Sequence, residues 1–317
     1  MLRWRLFLGI TISVMVVGLC YGDIYLEKTL QIPGLALFPL LVVLTMLACR
    51  EMLHLANRNH VYPVPYIAYL GCFIIILSGW GTFALQHYEN TQERDVVSTE
   101  VEQANYHLWE QLEHLTPGNW ALSAFALATI SVFLQEMYSF ARPGAVNIRM
   151  AYTVFTMVYV GLLPTFISLI RLSFGLFALL AFVAIVKCGD VGAYTIGRLC
   201  GRNKMAPRLS PGKTIEGAFG AILFSSLTAW FFYAVLAPFI YDAPFPAPFN
   251  PWWILYGMIL GLIGMIGDLA ESLMKRDAEV KDASTLMPGF GGVLDILDSL
   301  LLSAPIAYAF LTLHLLR

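Results

Sequence analysis

Charged residues are scarce in this chain. They make up 13% of its 317 residues, whereas hydrophobic residues make up 58%, and average soluble domains carry about 25% charged residues. This composition argues against a soluble protein and favours a bundle of membrane-spanning helices. The charge is nearly balanced, with 19 Lys and Arg against 21 Asp and Glu. Because there is no basic excess, the composition also argues against nucleic-acid binding.

Several familiar site motifs are missing as well. HExxH, GxSxG and the dinucleotide-binding glycine pattern do not occur. Gly212-Lys213-Thr214 looks like the end of a P-loop, but Pro207 stands where that motif needs a glycine, and no strand is predicted before it. The cysteines lie in or beside apolar segments without CxxC or metal-ligand spacing, which excludes a disulfide framework and a zinc site. They are Cys20, Cys49, Cys72, Cys188 and Cys200.

Long hydrophobic runs are abundant. A spanning helix needs about 20 mostly apolar residues, and we predict an all-α polytopic membrane protein with about nine transmembrane helices. The first run follows Arg3 and Arg5 like a signal peptide, but it is too long and no small-residue cleavage site follows it. We therefore expect it to remain as a span. The predicted spans are roughly 4–22, 33–49, 64–85, 119–138, 151–170, 172–189, 217–241, 251–275 and 296–315.

Basic residues are unevenly distributed between alternate loops. With the N-terminus in the cytoplasm, 15 Lys and Arg fall on the cytoplasmic side and 4 fall outside. The positive-inside rule therefore predicts a cytoplasmic N-terminus and, with an odd number of spans, an external C-terminus. We expect an integral membrane protein, in the inner (plasma) membrane if the source is a bacterium.

The loops suggest two regions of different character. Residues 1–150 are predicted to form N-terminal transmembrane helices with an outside loop near 86–118, which holds seven acidic residues and one arginine. Such a charge run is typical of a solvated loop, and its histidines, His87, His107 and His114, lack the tight spacing of a metal site. Residues 151–317 are predicted to form a catalytic transmembrane region with cytoplasmic loops at 187–217 and 268–295.

Acidic residues mark the end of the eighth predicted span. Asp268, Glu271, Ser272 and Lys275 follow the spacing i, i+3, i+4 and i+7, which places them on one face of a helix. Carboxylates near hydrocarbon usually face a wet cavity or a partner charge. Asp295 and Asp298 repeat the pattern at the start of the ninth span, and such carboxylates together suit Mg²⁺. The alternatives are a helix-capping role for Asp295 and interfacial snorkelling for Lys275 and Arg276.

The segment before the seventh span has the composition of an anion site. Gly212 and Gly217 would let the backbone approach a ligand closely. Lys213 and the basic residues before it offer charge for a triphosphate, and Ser210 and Thr214 offer hydroxyl donors. The alternative is a basic loop that only sets the membrane orientation.

At these residues the sequence resembles phosphatidate cytidylyltransferases, the CDP-diacylglycerol synthase family. The family elements Asp-x-Gly-Ala-Tyr, Ser-Pro-x-Lys-Thr-x-Glu-Gly and Gly-Asp-x-x-Glu-Ser begin here at Asp190, Ser210 and Gly267. The family's C-terminal signature is matched at Ser272, Lys275, Arg276, Lys281, Asp282, Pro288, Gly289, Gly291, Gly292, Asp295 and Asp298. Two positions depart from it: Phe290 stands where the family usually has His, and Ile296 where it has Arg. Neither side chain donates a hydrogen bond.

The resemblance implies transfer of a cytidylyl group from CTP to phosphatidate, giving CDP-diacylglycerol and pyrophosphate, with Mg²⁺ as cofactor and a monovalent cation such as K⁺ as an open addition. It implies Asp268 and Asp295 as the leading metal ligands, supported by Asp298 and Glu271, with Asp190 as a further metal or ribose ligand. Phosphate contacts fall to Lys213, Lys275 and Arg276. Lys281 and Asp282 would pair with each other or complete the site. The nucleotide-binding positions are Tyr194, Ser210, Lys213, Thr214 and Glu216.

Other functions stay open at this point. A CTP-dependent lipid kinase, such as a polyprenol kinase, would release CDP rather than pyrophosphate. Phe290 and Ile296 leave room for a catalytically inactive paralogue that binds lipid. An ion-coupled transporter would carry its carboxylates at the membrane midplane, whereas these acids lie at predicted span ends. The expected partners are CTP, phosphatidate and the bilayer, and a homodimer is possible.

Overall fold

Helices form most of the structure. The computed structural model describes residues 2–96, 117–140, 144, 146–241, 249–284 and 291–313. Most of the predicted acidic loop, with His107 and His114, lies outside these residues, as do the His87 side chain and Pro288, Gly289 and Phe290. The helices are α1 (Leu2–Leu30), α2 (Leu37–Arg58), α3 (Pro65–Val96), α4 (Pro117–Tyr138), α5 (Val146–Met157), α6 (Leu163–Cys200), α7 (Ile215–Trp230), α8 (Ala237–Ile240), α9 (Pro251–Asp277) and α10 (Leu294–Thr312), with π-helical turns at Val158–Leu162 and Phe231–Leu236.

Among the described residues, six helical stretches are long and apolar enough to cross a membrane, which supports an integral membrane protein. They are Leu37–Arg58, Trp120–Tyr138, Val146–Cys200, Ile215–Ile240, Pro251–Asp277 and Leu294–Thr312. The count of about nine spans and the orientation of the termini stay predictions.

The longest stretch, which runs from the start of α5 to the end of α6, is broken at one point inside α6. Its 55 residues would extend about 80 Å as one straight helix, more than twice the roughly 30 Å of bilayer hydrocarbon. Gly175 interrupts it with φ 83° and ψ 175°, a backbone conformation that glycine adopts without a steric penalty. The break lies near the boundary between the predicted spans at 151–170 and 172–189.

The chain folds into two compact units, residues 1–173 and 174–317; the predicted division at residue 150 into N-terminal helices and a catalytic region stays a prediction. Residues beyond 150 join the first unit because they pack against its helices. At Gly161, for example, an added Cβ would lie 3.2 Å from the Cα of Cys72 in α3. Hydropathy identifies the residues after 150 as apolar, but it does not show which helices they contact.

A buried ion cluster ties the first unit together. The Arg171 guanidinium donates to Asp23 Oδ2 over 2.7 Å and to Glu27 Oε2 over 2.6 Å. Asp23 is fully buried, and its Oδ1 accepts a bond from the Ala36 backbone N–H. The cluster therefore joins the end of α1 to α6 and to the turn before α2.

Arg171→Met should lower the free energy of unfolding by about 3 kcal/mol, because it leaves the Asp23 carboxylate buried without its cation. Thermal unfolding of the full chain in detergent would measure this. Arg58→Met is the matched control, since Arg58 is exposed. Equal unfolding temperatures for the two variants would show that the cluster contributes nothing.

Close contacts between helices bring the second unit's charged residues together. At Gly257 of α9 an added Cβ would lie 2.5 Å from the Ser226 Cα in α7. At Gly267, further along α9, it would lie 2.5 Å from the Asp298 carbonyl oxygen in α10. Small residues let helix backbones approach in this way. The contact at Gly267 places the next residue, Asp268, beside Asp298.

Two expectations need correction in this unit: a loop throughout residues 187–217, and a purely helical fold. Residues 187–200 are helical and belong to α6. Residues 268–277 belong to α9, as the helical spacing of Asp268, Glu271 and Lys275 predicts. A short antiparallel hairpin, β1 (Lys204–Ala206) and β2 (Ser210–Thr214), follows α6, so the second unit is not purely helical. Gly192 of α6 packs against α7, where an added Cβ would lie 2.5 Å from the Gly220 carbonyl oxygen.

Candidate active site

Three carboxylates from two helices meet at one point. Asp268 and Glu271 come from α9 and Asp298 from α10, and one oxygen of each lies within 4.8 Å of the others. Glu271 is fully buried, and its Oε1 has no hydrogen-bond partner among the described residues. A buried carboxylate oxygen without a partner is costly. We call Asp268, Glu271 and Asp298 the carboxylate group.

Ser299 connects this group to α6. Its hydroxyl donates to Asp190 Oδ2 over 3.0 Å, and the Lys187 ammonium donates to the Ser299 hydroxyl over 2.8 Å and to Asp190 over 3.1 Å. The Ser299 backbone N–H donates to Asp298 Oδ1 over 2.5 Å. Sequence reasoning assigned no role to Lys187 or Ser299, because 112 residues separate the two along the chain.

The hairpin places a second lysine next to the carboxylate group. Lys213 lies on β2, and its Nζ is 2.8 Å from Asp268 Oδ2 and 3.3 Å from the Met265 carbonyl oxygen. Pairing of Lys204 with Thr214 across the hairpin places this part of β2 next to the end of α6. Of the predicted phosphate-binding residues, Lys275 and Arg276 lie on α9 itself. Lys213 is the one that reaches the carboxylate group from another element, the hairpin.

Lys275 forms a buried ion triad. Its Nζ lies 2.6 Å from Glu271 Oε2 and 2.5 Å from Asp295 Oδ1. Asp295 Oδ2 accepts bonds from the backbone N–H groups of Gly292 and Ala283. The structure therefore places Asp295 outside the carboxylate group, with Lys275 between them, although the resemblance implies Asp295 as a leading metal ligand. Asp295 instead links the two ends of the connection between α9 and α10, through its bonds to Ala283 and Gly292.

Other predicted catalytic residues lie at the edge of the site. Arg276 is exposed and donates to the carbonyl oxygens of Leu209 and Val280, each over 3.1 Å, so it fastens the hairpin to the end of α9. Lys281 and Asp282 are exposed. In the described part of the chain they form no ion pair with each other.

Most predicted nucleotide-binding side chains form structural bonds. Thr214 is buried and caps α7 by accepting the Gly217 backbone N–H. The Glu216 carboxylate accepts backbone N–H groups of Arg202 and Asn203. Tyr194 is exposed and accepts a bond from Arg198, while Ser210 is half-buried on β2. Their contacts with a nucleotide stay predictions.

The charge balance of the site suits a divalent cation. Five carboxylates, Asp190, Asp268, Glu271, Asp295 and Asp298, face three lysines, Lys187, Lys213 and Lys275. Ionised side chains would leave a surplus of two negative charges. The donor set fits Mg²⁺, a hard cation that takes carboxylate oxygens together with phosphate oxygens and water, and such a cation would also satisfy the unpaired Glu271 oxygen.

Fold and site together define a helical membrane protein with a candidate metal-binding site at the meeting point of α6, α9, α10 and a basic hairpin. A model of the cytidylyltransferase family matches residues 9–314, nearly the whole chain. The chain therefore belongs to the cytidylyltransferase family, which confirms the resemblance found in its motifs.

Individual relatives agree with this assignment. A phosphatidate cytidylyltransferase of Staphylococcus epidermidis is 35% identical over 199 residues, 62% of this chain and 69% of that protein. One from Synechocystis is 38% identical over 148 residues, 44% of each chain. Uncharacterized protein YnbB of Escherichia coli is 35% identical over 138 residues, 43% of each chain. This chain thus spans less than half the length of the last two relatives.

Proposed function

We propose that this protein transfers the cytidylyl group of CTP to phosphatidate, giving CDP-diacylglycerol and pyrophosphate in phospholipid biosynthesis. Membership of the cytidylyltransferase family and relatives named phosphatidate cytidylyltransferase support this reaction. The observation that carries the proposal is the carboxylate group with Lys187 and Lys213 beside it.

The chemistry asks for positioning more than for a strong base. A lipid phosphate monoester is already ionised near neutral pH and can attack the α-phosphorus of CTP in line. The protein must hold two anions together and neutralise the leaving pyrophosphate, so placement and electrostatics supply most of the rate.

The residues divide into two roles. Asp268, Glu271 and Asp298 would hold Mg²⁺, which when bound stabilises charge on the transferring phosphate oxygens. Lys213 and Lys187 supply positive charge beside it, and their partly exposed side chains can reach substrate phosphate. Lys275 is buried between Glu271 and Asp295, so it positions carboxylates and does not contact phosphate in this arrangement.

A turnover assay tests the proposal. Purified full chain in detergent, given α-³²P-CTP, phosphatidate and Mg²⁺, should move label into lipid and release pyrophosphate. EDTA should abolish turnover, and added Mg²⁺ should restore it, because the substrate phosphates and the carboxylate group repel each other without a cation.

A parallel assay with γ-³²P-CTP is the control. Label in lipid from the γ-position would identify a lipid kinase, and no labelled lipid from either nucleotide with well-folded protein would identify an inactive paralogue. Either result would contradict cytidylyl transfer.

We also infer about nine spans with a cytoplasmic N-terminus, an external C-terminus and residence in a bacterial inner membrane. The 15-to-4 distribution of basic residues and the bacterial relatives support this topology. Reporters fused to the N-terminus and to the C-terminus should be found on opposite sides of the membrane.

A further inference from the structure

Four cations near the site have no carboxylate partner among the described residues. Arg198 lies in the last turn of α6, and Arg202, Lys204 and Arg208 follow on the hairpin and its flanks. All four are exposed. Arg198 bonds to the Tyr194 hydroxyl and lies 5.9 Å from its ring centroid. We call these four residues the basic surface.

Glu216, the acidic residue that directly follows the hairpin, does not neutralise the basic surface through side-chain pairing. The Glu216 carboxylate is directed at the backbone N–H groups of Arg202 and Asn203 and at the Asn203 amide. No Asp or Glu occurs in residues 191–215. Residues 191–215 therefore carry a single sign of charge.

Its position is fixed at the ends of two spans. One candidate span ends at Cys200 and the next begins at Ile215. The intervening hairpin is held there because the Gly201 N–H donates to the Gly197 carbonyl over 3.2 Å and the Ile215 N–H donates to the Asn203 carbonyl over 2.9 Å. The four cations therefore lie between the end of one candidate span and the first turns of the next.

Exposed apolar side chains lie on the two helices that flank the hairpin. Leu199 and Phe219 are 78% and 69% exposed, and Tyr194 is also exposed. Apolar and aromatic side chains next to Lys and Arg at a span end are typical of the membrane interface, where rings lie among headgroups and cations face lipid phosphates.

We propose that the basic surface binds the phosphate groups of anionic lipid headgroups in the surrounding bilayer, an interaction that goes beyond the proposed transferase activity. The sequence also offers the basic residues before Lys213 as charge for a triphosphate. The nucleotide is nevertheless the less fitting partner, because the lysine that reaches the carboxylate group is Lys213, whereas Arg276 fixes the hairpin at Leu209. Each cation near an anionic membrane surface adds about 1 kcal/mol, or about fivefold in affinity.

Spin-labelled lipids test this directly. Full chain in nanodiscs of phosphatidylcholine receives trace spin-labelled phosphatidylglycerol or spin-labelled phosphatidylcholine, and electron paramagnetic resonance measures the immobilised fraction. Wild type should prefer phosphatidylglycerol severalfold. The variant Arg198→Gln/Arg202→Gln/Lys204→Gln/Arg208→Gln should lose nearly all of this preference, and 1 M NaCl should abolish it in wild type, because salt screens exposed charges.

The control variant is Arg50→Gln/Arg58→Gln, which removes two exposed cations from α2 and should retain the preference. If the variant with all four substitutions does not fold, the double variant Arg198→Gln/Arg202→Gln replaces it. This double variant should lose at least half of the preference for phosphatidylglycerol. An unchanged preference in the basic-surface variant would overturn the proposal. So would an equal loss in the control, because it would indicate a general effect of charge.

CTP binding separates the two sources of phosphate. Affinity for CTP, measured by thermal shift of the full chain, should change less than about threefold in the basic-surface variant. A tenfold loss of CTP affinity with lipid preference intact would assign the four cations to the nucleotide and refute the proposal. The lipid measurement needs neither CTP nor turnover, so failure of the transferase assignment would not alter it.

Discussion

Asp298→Asn should reduce metal-dependent turnover by about a thousandfold, with normal folding and membrane insertion. The substitution keeps the side-chain size but removes one of the three charges that would hold the cation, and losing such electrostatic stabilisation costs about 10²–10³ in rate. Affinity for Mn²⁺, used as a paramagnetic probe of the Mg²⁺ site, should fall by at least about tenfold. Asp268→Asn should behave in the same way.

Asp295→Asn is the informative comparison for this prediction. Asp295 bonds to Lys275 and to two backbone N–H groups, so its loss should lower the unfolding temperature while Mn²⁺ affinity stays within about threefold of wild type. Electron paramagnetic resonance of free Mn²⁺ measures the affinity in both variants. If Asp295→Asn loses Mn²⁺ binding and Asp298→Asn retains it, the metal belongs to Asp268 and Asp295, as the family resemblance implies.

The sequence predicted local relationships well. The spacing of Asp268, Glu271 and Lys275 predicted one helical face, and the structure places all three on α9. The last three predicted spans agree closely with Ile215–Ile240, Pro251–Asp277 and Leu294–Thr312, because long apolar runs between polar segments define their own ends. The family motifs were also sufficient to identify the family.

The sequence did not predict which residues of different helices become neighbours. The choice of Asp298 over Asp295 as the neighbour of Asp268 depends on how closely α9 approaches α10 at Gly267. Nothing in the spacing of the motif distinguishes the two aspartates, which lie three residues apart on one helix. The hairpin was missed for a similar reason: its strands have three and five residues, too short for a clear alternating pattern.

One departure from the family pattern has a structural counterpart. Ile296 stands in place of an arginine and lies three residues before Ser299, so the two share a face of α10. Lys187 reaches that face from α6 and bonds to Ser299. Lys187 therefore places a cation against α10 at Ser299, one helical turn from Ile296.

Lys275→Met should lower the free energy of unfolding by up to about 5 kcal/mol, because it strands the fully buried Glu271 carboxylate and deprives Asp295 of its cation. Urea or thermal unfolding of the full chain in mild detergent measures the loss. Lys281→Met is the matched control: Lys281 is exposed, and such surface substitutions usually change stability by less than about 0.5 kcal/mol.

The double variant Glu271→Gln/Lys275→Met distinguishes the two roles considered for Lys275. If the lysine holds carboxylates in place, removing the Glu271 charge as well should restore most of the lost stability, since replacing both partners of a buried pair is often nearly neutral. If Lys275 instead contacts substrate phosphate, Lys275→Met alone should unfold like wild type and show only a raised KM for CTP. The ion triad predicts the first outcome, because Lys275 Nζ already lies within 2.6 Å of two carboxylate oxygens.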